Sequence, residues 1–299
     1  MRPLEAGARQ GGARSLRWLL GLGIVLLGSG LLFNHLLLLA RLQLPAPLYQ
    51  ALSGGLICAL GTALGAVPVL LIRSMPARVA DTLLGFGAGV MLAATAFSLL
   101  LPALEAVEAG GRSPLYAALL VSFGMALGVL GLMLAGRMLD DAQHDLDDAP
   151  TPAIPARILL FVAAIVLHNI PEGMAVGVAA GGEVQGAGGL ALGIALQDVP
   201  EGLAIALVLA GAGMSRVRAM LAGAASGLVE PLFAVLCAWL VGVSRMLLPW
   251  GLALAAGAML YVVVREIIPE SQRRGYAGEA TLGLIVGFCL MMVLDTSLG

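Results

Sequence analysis

Residues 168–178 read HNIPEGMAVGV, inside an apolar run that covers 156–181. One run later, at 197–207, the chain repeats the pattern as QDVPEGLAIAL. Each run is long enough to cross a hydrocarbon core of ~30 Å, which takes about 20 residues at ~1.5 Å per residue. A charged side chain at that depth costs at least ~2.5–3.5 kcal/mol on insertion scales. Fold and chemistry both turn on why His, Asn, Gln, Asp and two Glu are placed there.

The whole chain is built like these two runs. Of its 299 residues, 60% are hydrophobic and 11% charged, against about a quarter charged in an ordinary soluble domain. Nine apolar segments can be drawn, at 16–40, 48–73, 79–104, 114–138, 156–181, 185–211, 217–243, 247–268 and 278–298. They are continuous and do not alternate, which excludes a transmembrane barrel. The expected fold is an all-α polytopic membrane protein with eight core helices and one extra N-terminal transmembrane helix. Residues 1–45 hold the extra helix and 46–299 the core domain. The extra segment follows Arg2, Arg9, Arg14 and Arg17, but it is too long for the apolar part of a signal peptide and no cleavage site follows, so it reads as a retained helix.

All sixteen basic residues are arginine. With the N-terminus in the cytoplasm, thirteen of them fall inside and three (Arg41, Arg112, Arg245) outside, so the C-terminus faces outward. Cys58, Cys237 and Cys289 lie singly in apolar runs, without the spacing of a disulfide frame or thiolate site, and read as small buried residues. A loop at about 139–155 carries Asp140, Asp141, His144, Asp145, Asp147 and Asp148 beside several prolines. Such a segment cannot pack a core and is expected to be mobile. It is either a solvated cytoplasmic loop or a weak, exchangeable site that collects divalent cations.

On a helix, His168, Asn169 and Glu172 share one face, and Gln197, Asp198 and Glu201 repeat the arrangement on core helix five. The two helices run antiparallel, so the faces meet at one depth. Pro171 and Pro200 sit within these motifs and are expected to kink both helices, freeing carbonyls beside the polar pairs. Glu230, followed by Pro231, adds a carboxylate in the middle of core helix six. Four buried acids and one imidazole cannot all stay ionised unless something positive joins them, and no arginine lies at mid-span. Protons or a bound cation remain. Carboxylates with one imidazole and amide carbonyls suit a borderline divalent ion such as zinc, cadmium, iron(II) or manganese(II).

Ser98 and Glu105 lie seven and fourteen residues beyond Met91, a stripe at two-turn spacing that leads outward along core helix two and reads as a cation entrance.

The paired sequences HNIPEGMAVGV and QDVPEGLAIAL resemble the signature of the ZIP (Zrt/Irt-like) metal transporters. The likeness to the bacterial GufA-like branch extends through GTALGAVPVLL, GFGAGVMLAATAFSLLLP, SGLVEPLF, REIIPE and LDTSLG. It implies import of a divalent transition metal, zinc before cadmium, iron or manganese, through a binuclear site. One position would use His168, Glu172, Gln197 and Glu201 with Met91. The other would use Asn169, Glu172, Asp198, Glu201 and Glu230, so the ions are cargo and one can also be retained structurally. Glu266 and Glu270 would form an exit with Asp295 as a further polar point. Relatives often carry histidine where this chain has Arg265, which cannot ligate a cation and instead could pair with Glu266 as a gate. The resemblance also implies a bacterial inner membrane, an inverted repeat, and an elevator or rocking movement. A homodimer is compatible, and no nucleic-acid partner is expected.

Two rival readings stay open at this level. An intramembrane zinc hydrolase would want HExxH and a closed three-ligand site with one general base. A proton-linked carrier of another solute would use the carboxylates without needing His168 and Asn169.

Overall fold

A computed structural model of the chain describes residues 44–147 and 154–298. The extra N-terminal helix and Asp148 lie outside the described residues. Within them, eight helices are long and apolar enough to cross a membrane. They are α1 (Ala46–Leu70), α2 (Ala77–Ala109), α3 (Pro114–Asp147), α4 (Ile154–Gly181), α5 (Ala187–Gly211), α6 (Arg216–Val243), α7 (Leu247–Gln272) and α8 (Ala277–Leu298). These are the eight expected core helices in order.

One boundary is corrected. The segment expected to leave the helix near residue 139 continues α3 to Asp147, so Asp140, Asp141, His144, Asp145 and Asp147 are helical. Four aspartates do not stop a helix when side chains can project into water, and Asp140, Asp141 and His144 are exposed.

Four of the connections, α2–α3, α4–α5, α5–α6 and α7–α8, are tight turns in which Gly111, Gly186, Gly213 and Gly275 have positive φ, the left-handed backbone that glycine adopts without a steric penalty. Neighbours in sequence therefore run antiparallel. The closest backbone approaches, however, join parallel helices far apart in sequence. Gly61 and Gly65 of α1 face the carbonyls of Ala195 and Val199 in α5, and Gly202 of α5 faces that of Thr62. Gly173, Gly177 and Gly181 of α4 lie on Glu230, Ala234 and Ala238 of α6. Gly85, Gly89, Gly283 and Gly287 join α2 to α8, and Gly128 and Gly257 join α3 to α7. Each seam uses glycines four residues apart or a facing pair, the spacing that lets backbones touch where lipid removes the hydrophobic drive. Further contacts gather α1, α4, α5 and α6 into one group and α2, α3, α7 and α8 into another.

Besides the 3-10 turn Val67–Leu70 that ends α1, three helices depart from regular geometry within their spans. In α2 residues Ala94–Leu100 and in α7 residues Val263–Ile267 form π-helical turns. Each is closed by a bond spanning five residues, from the Leu101 N–H to the Ala96 carbonyl and from the Ile268 N–H to the Val263 carbonyl. Pro102 and Pro269 follow directly. Their missing N–H leaves the carbonyl four residues back without its partner, and the preceding turn widens. In α6 the helix is interrupted at Gly227 and Leu228 and restarts at Val229, which accommodates Pro231 in the first turn of the second half. Helices α4 and α5, by contrast, run unbroken past Pro171 and Pro200.

A Cβ at Gly202 would meet the Thr62 backbone, whereas one at Gly188 meets nothing. Gly202→Val is expected to cost at least about 1–3 kcal/mol through overpacking and to lower the melting temperature of the detergent-solubilised protein. Gly188→Ala should leave it unchanged or slightly raised.

Candidate metal centre

Helix periodicity on α4 and α5 brings His168, Asn169 and Glu172 against Gln197, Asp198 and Glu201, as expected. His168 Nε2 lies 3.9 Å from Glu201 Oε2 across the two helices. Gln197 Nε2 donates to Glu172 Oε1 in a short hydrogen bond and to Asp198 Oδ1 at 2.9 Å. Glu230 enters from the first turn after the break in α6. Its Oε1 accepts from Thr62 Oγ1 of α1 at 3.3 Å.

Asn169 lies between two acids. With its amide in one orientation, Nδ2 donates to Glu230 Oε1 at 3.3 Å and to the Ser226 carbonyl at 3.4 Å. Flipped, it donates to Glu201 Oε1 at 3.0 Å and to the Ile165 carbonyl at 3.2 Å. The interruption after Ser226 leaves its carbonyl available for this contact.

A common pattern runs through the three deepest acids. Glu172, Asp198 and Glu230 are 0%, 1% and 0% exposed. Each ties one oxygen to a protein donor, while Glu172 Oε2, Asp198 Oδ2 and Glu230 Oε2 have no hydrogen-bond partner. A buried, unpaired carboxylate oxygen costs several kcal/mol in a low-dielectric medium. Among the described ion pairs, the basic side chain reaching this cluster is His168. The donor set fits a cation: His168, Glu172 and Glu201 place ligand atoms within 4.8 Å of one another, and so do Cys58, Asp198 and Glu230.

Cys58 and Thr62 were not singled out from the sequence. They are one turn apart on α1, beside Gly61, which abuts the Asp198 side chain. The available signal was that CALGT places two polar-capable side chains at i,i+4 on the small-residue face. Met91 is fully buried on α2, one turn from Gly87, which faces Gln197.

The cluster opens on one side into a cavity of about 200 Å³ lined by Leu83, Gly87, Ile165, His168, Glu201 and Glu266. Glu266 stands on the widened turn of α7 and its Oε2 lies 3.3 Å from His168 Nδ1. Among the described ion pairs Glu266 is found with His168, and Arg265 is exposed, which corrects the expectation of an Arg265–Glu266 gate. The extra residue in the π turn aims the carboxylate inward. Glu270 is occupied by Arg274 at 2.5 Å and Arg273 at 3.3 Å, and Arg274 also reaches buried Asp81 at 3.1 Å.

Asp295 is corrected too. It does not lie with Glu266 and Glu270 but accepts a hydrogen bond from Ser98 Oγ at 2.6 Å. Helix α8 runs parallel to α2, with Gly283 at the level of Thr82 and Gly287 at that of Phe86, so its C-terminal end reaches the Ser98 turn. With Glu105 and Gln185, Asp295 lines a second cavity of about 520 Å³.

The family described as ZIP Zinc transporter matches residues 139–295. The chain belongs to the ZIP family. It is 42% identical over 251 residues to the zinc transporter GufA of Myxococcus xanthus, covering 83% of this chain and 98% of that protein. Against the zinc transporter ZIPB of Bordetella bronchiseptica the identity is 47% over 255 residues, or 83% and 81% of the two chains. The human zinc transporter ZIP11 is 34% identical over 341 residues, covering 86% of this chain and all of its own length. Membership in this transporter family sets aside the hydrolase reading.

Thr62 holds Glu230 in place, so Thr62→Val should weaken zinc binding to the purified protein by about 10–100-fold, the range for groups that orient metal ligands. Calorimetric titration measures it; Thr281→Val, which removes an exposed hydroxyl on α8, is the matched control.

Proposed function

We propose that this ZIP-family chain carries divalent transition metal across a bacterial inner membrane into the cytoplasm, with zinc the foremost cargo. The observation that supports this is the set of three buried carboxylate oxygens without partners, on Glu172, which groups with His168 and Glu201, and on Asp198 and Glu230, which group with Cys58. Oxygen donors with a single nitrogen favour a borderline ion such as zinc, cadmium, iron(II) or manganese(II). The names of the relatives, zinc transporters throughout, support the same cargo.

In this reading a cation leaves water in the cavity of Glu105 and Asp295, behind which buried Ser98 is bonded to Asp295. It passes the buried stretch around Met91 and reaches the central acids, where Glu172 and Glu201 bridge two ion positions. It leaves by way of Glu266. The exposed acids Asp140 and Asp141 and His144 on the end of α3 would hold it loosely on the cytoplasmic side. The N-terminus faces the cytoplasm and the C-terminus the outside, in keeping with the arginine distribution. Relative movement of the group α1, α4, α5 and α6 against α2, α3, α7 and α8 would switch access.

His168 contacts both Glu201 and Glu266, so it stands where the central cluster meets the exit cavity. In proteoliposomes, uptake of labelled zinc and cadmium should fall to the protein-free background in His168→Ala and Glu201→Ala variants that remain folded by melting profile. Unchanged flux in both would remove the central site from the pathway.

Asp295→Ala is expected to slow uptake at sub-saturating external metal while leaving equilibrium zinc binding to the central cluster unchanged. A comparison of uptake rate with calorimetric affinity separates the two effects.

A further inference from the structure

The geometry points to Cys58 as a metal ligand: we infer that Cys58, Asp198 and Glu230 form a sulfur–oxygen position that gives the centre a preference for thiophilic ions. This deepens the transport reading and rests on it. The Cys58 sulfur and one carboxylate oxygen each from Asp198 and Glu230 all lie within 4.8 Å of one another. Ligand atoms about 2.3 Å (sulfur) and about 2.0–2.2 Å (oxygen) from one ion lie roughly 3.4–3.8 Å apart at tetrahedral or trigonal angles. The three groups can therefore close on one cation with a shift of at most about 1 Å.

The two acids point to a ligand independently of the cysteine. Asp198 Oδ2 and Glu230 Oε2 are buried without a hydrogen-bond partner, while Gln197 and Thr62 hold the other oxygen of each. Cys58 is itself fully buried, and its thiol makes a 3.3 Å contact to the Ala191 carbonyl, a weak bond that coordination can replace. Its position is held rigidly, because Gly61 beside it packs on the Ala195 carbonyl and the Asp198 side chain. Cys237 sits instead among apolar side chains, and Cys289 is exposed on α8.

The ligand type sets the consequence. A thiolate is a soft donor that favours cadmium and zinc over manganese and magnesium, which prefer all-oxygen sites. Binding exchanges a proton for a metal: the S–H bond breaks, a sulfur–metal bond forms, and the proton leaves with solvent.

The test uses the full-length protein in detergent, with Cys237→Ala and Cys289→Ala introduced so that Cys58 is the one remaining thiol. Cadmium is titrated in while the ultraviolet sulfur-to-cadmium charge-transfer band and the bound stoichiometry by equilibrium dialysis are both recorded. The expected result is a band that saturates with bound cadmium. Adding Cys58→Ser should abolish it and weaken cadmium binding at that position at least about tenfold, the lower end of the loss seen even for supporting groups. Manganese binding should change little. Cadmium bound at full stoichiometry without a band overturns the cysteine assignment and leaves the central site standing. A protein that binds no cadmium overturns both. A band that survives Cys58→Ser places the sulfur elsewhere and also rejects the assignment.

Discussion

Three carboxylates at membrane depth, each with one oxygen tied down and one free, are the constraint around which the molecule is arranged. Lipid offers them no water and the protein offers them one imidazole, on the Glu172 side of the cluster. Such a group is tolerable only where a proton or a cation completes it, and one ion can serve several of them only if their atoms are held close together. The glycine seams perform that holding. Gly61, Gly65 and Gly202 bring α1 against α5, and Gly173 brings α4 against the backbone of Glu230. Four helices thus reach the cluster at backbone distance, so short side chains such as Asp198, Asn169 and Cys58 can meet.

Proline shapes the approaches to the cluster. At Pro102, Pro269 and Pro231 the helix yields locally, so that α2 and α7 widen and α6 breaks, whereas α4 and α5 run on past Pro171 and Pro200. Ser98 sits in one widened turn and Glu266 in the other, while the break in α6 frees the Ser226 carbonyl and starts a new helix at Glu230. The same local chemistry, a missing N–H, thereby places a polar residue on each approach to the cluster and one inside it. These are departures from regular helix at the positions where function concentrates, as π-type turns commonly are.

Much of this was legible in the sequence, for physical reasons that differ from residue to residue. Apolar run length marks a span irrespective of its neighbours, so all eight core helices were readable to within a few residues, the far end of α3 excepted. Helical periodicity placed His168, Asn169 and Glu172 on one face and Gln197, Asp198 and Glu201 on another. Asp295 groups with the exit residues in the sequence reading although an outward C-terminus already puts it at the outer end of α8; only its contact with Ser98 depends on the register of α8 beside α2. Arg265 and Glu266 are adjacent in sequence, yet a widened turn sends Glu266 to His168. Cys58 looked like packing because its partners lie on α5 and α6, far along the chain.

By itself the sequence determined the class of the molecule, its spans and the residue types that face one another across α4 and α5. Those properties follow from hydropathy and from 3.6-residue periodicity, which are local. Tertiary structure alone decided which helices touch. The close pairs, α1 with α5, α2 with α8, α3 with α7 and α4 with α6, are parallel and distant in sequence, so short connections could not announce them. That pairing decides which polar atoms converge. It turns HNIPEGMAVGV from one polar face of a helix into one wall of a cluster completed by Thr62, Cys58 and Glu230 from helices the motif does not name.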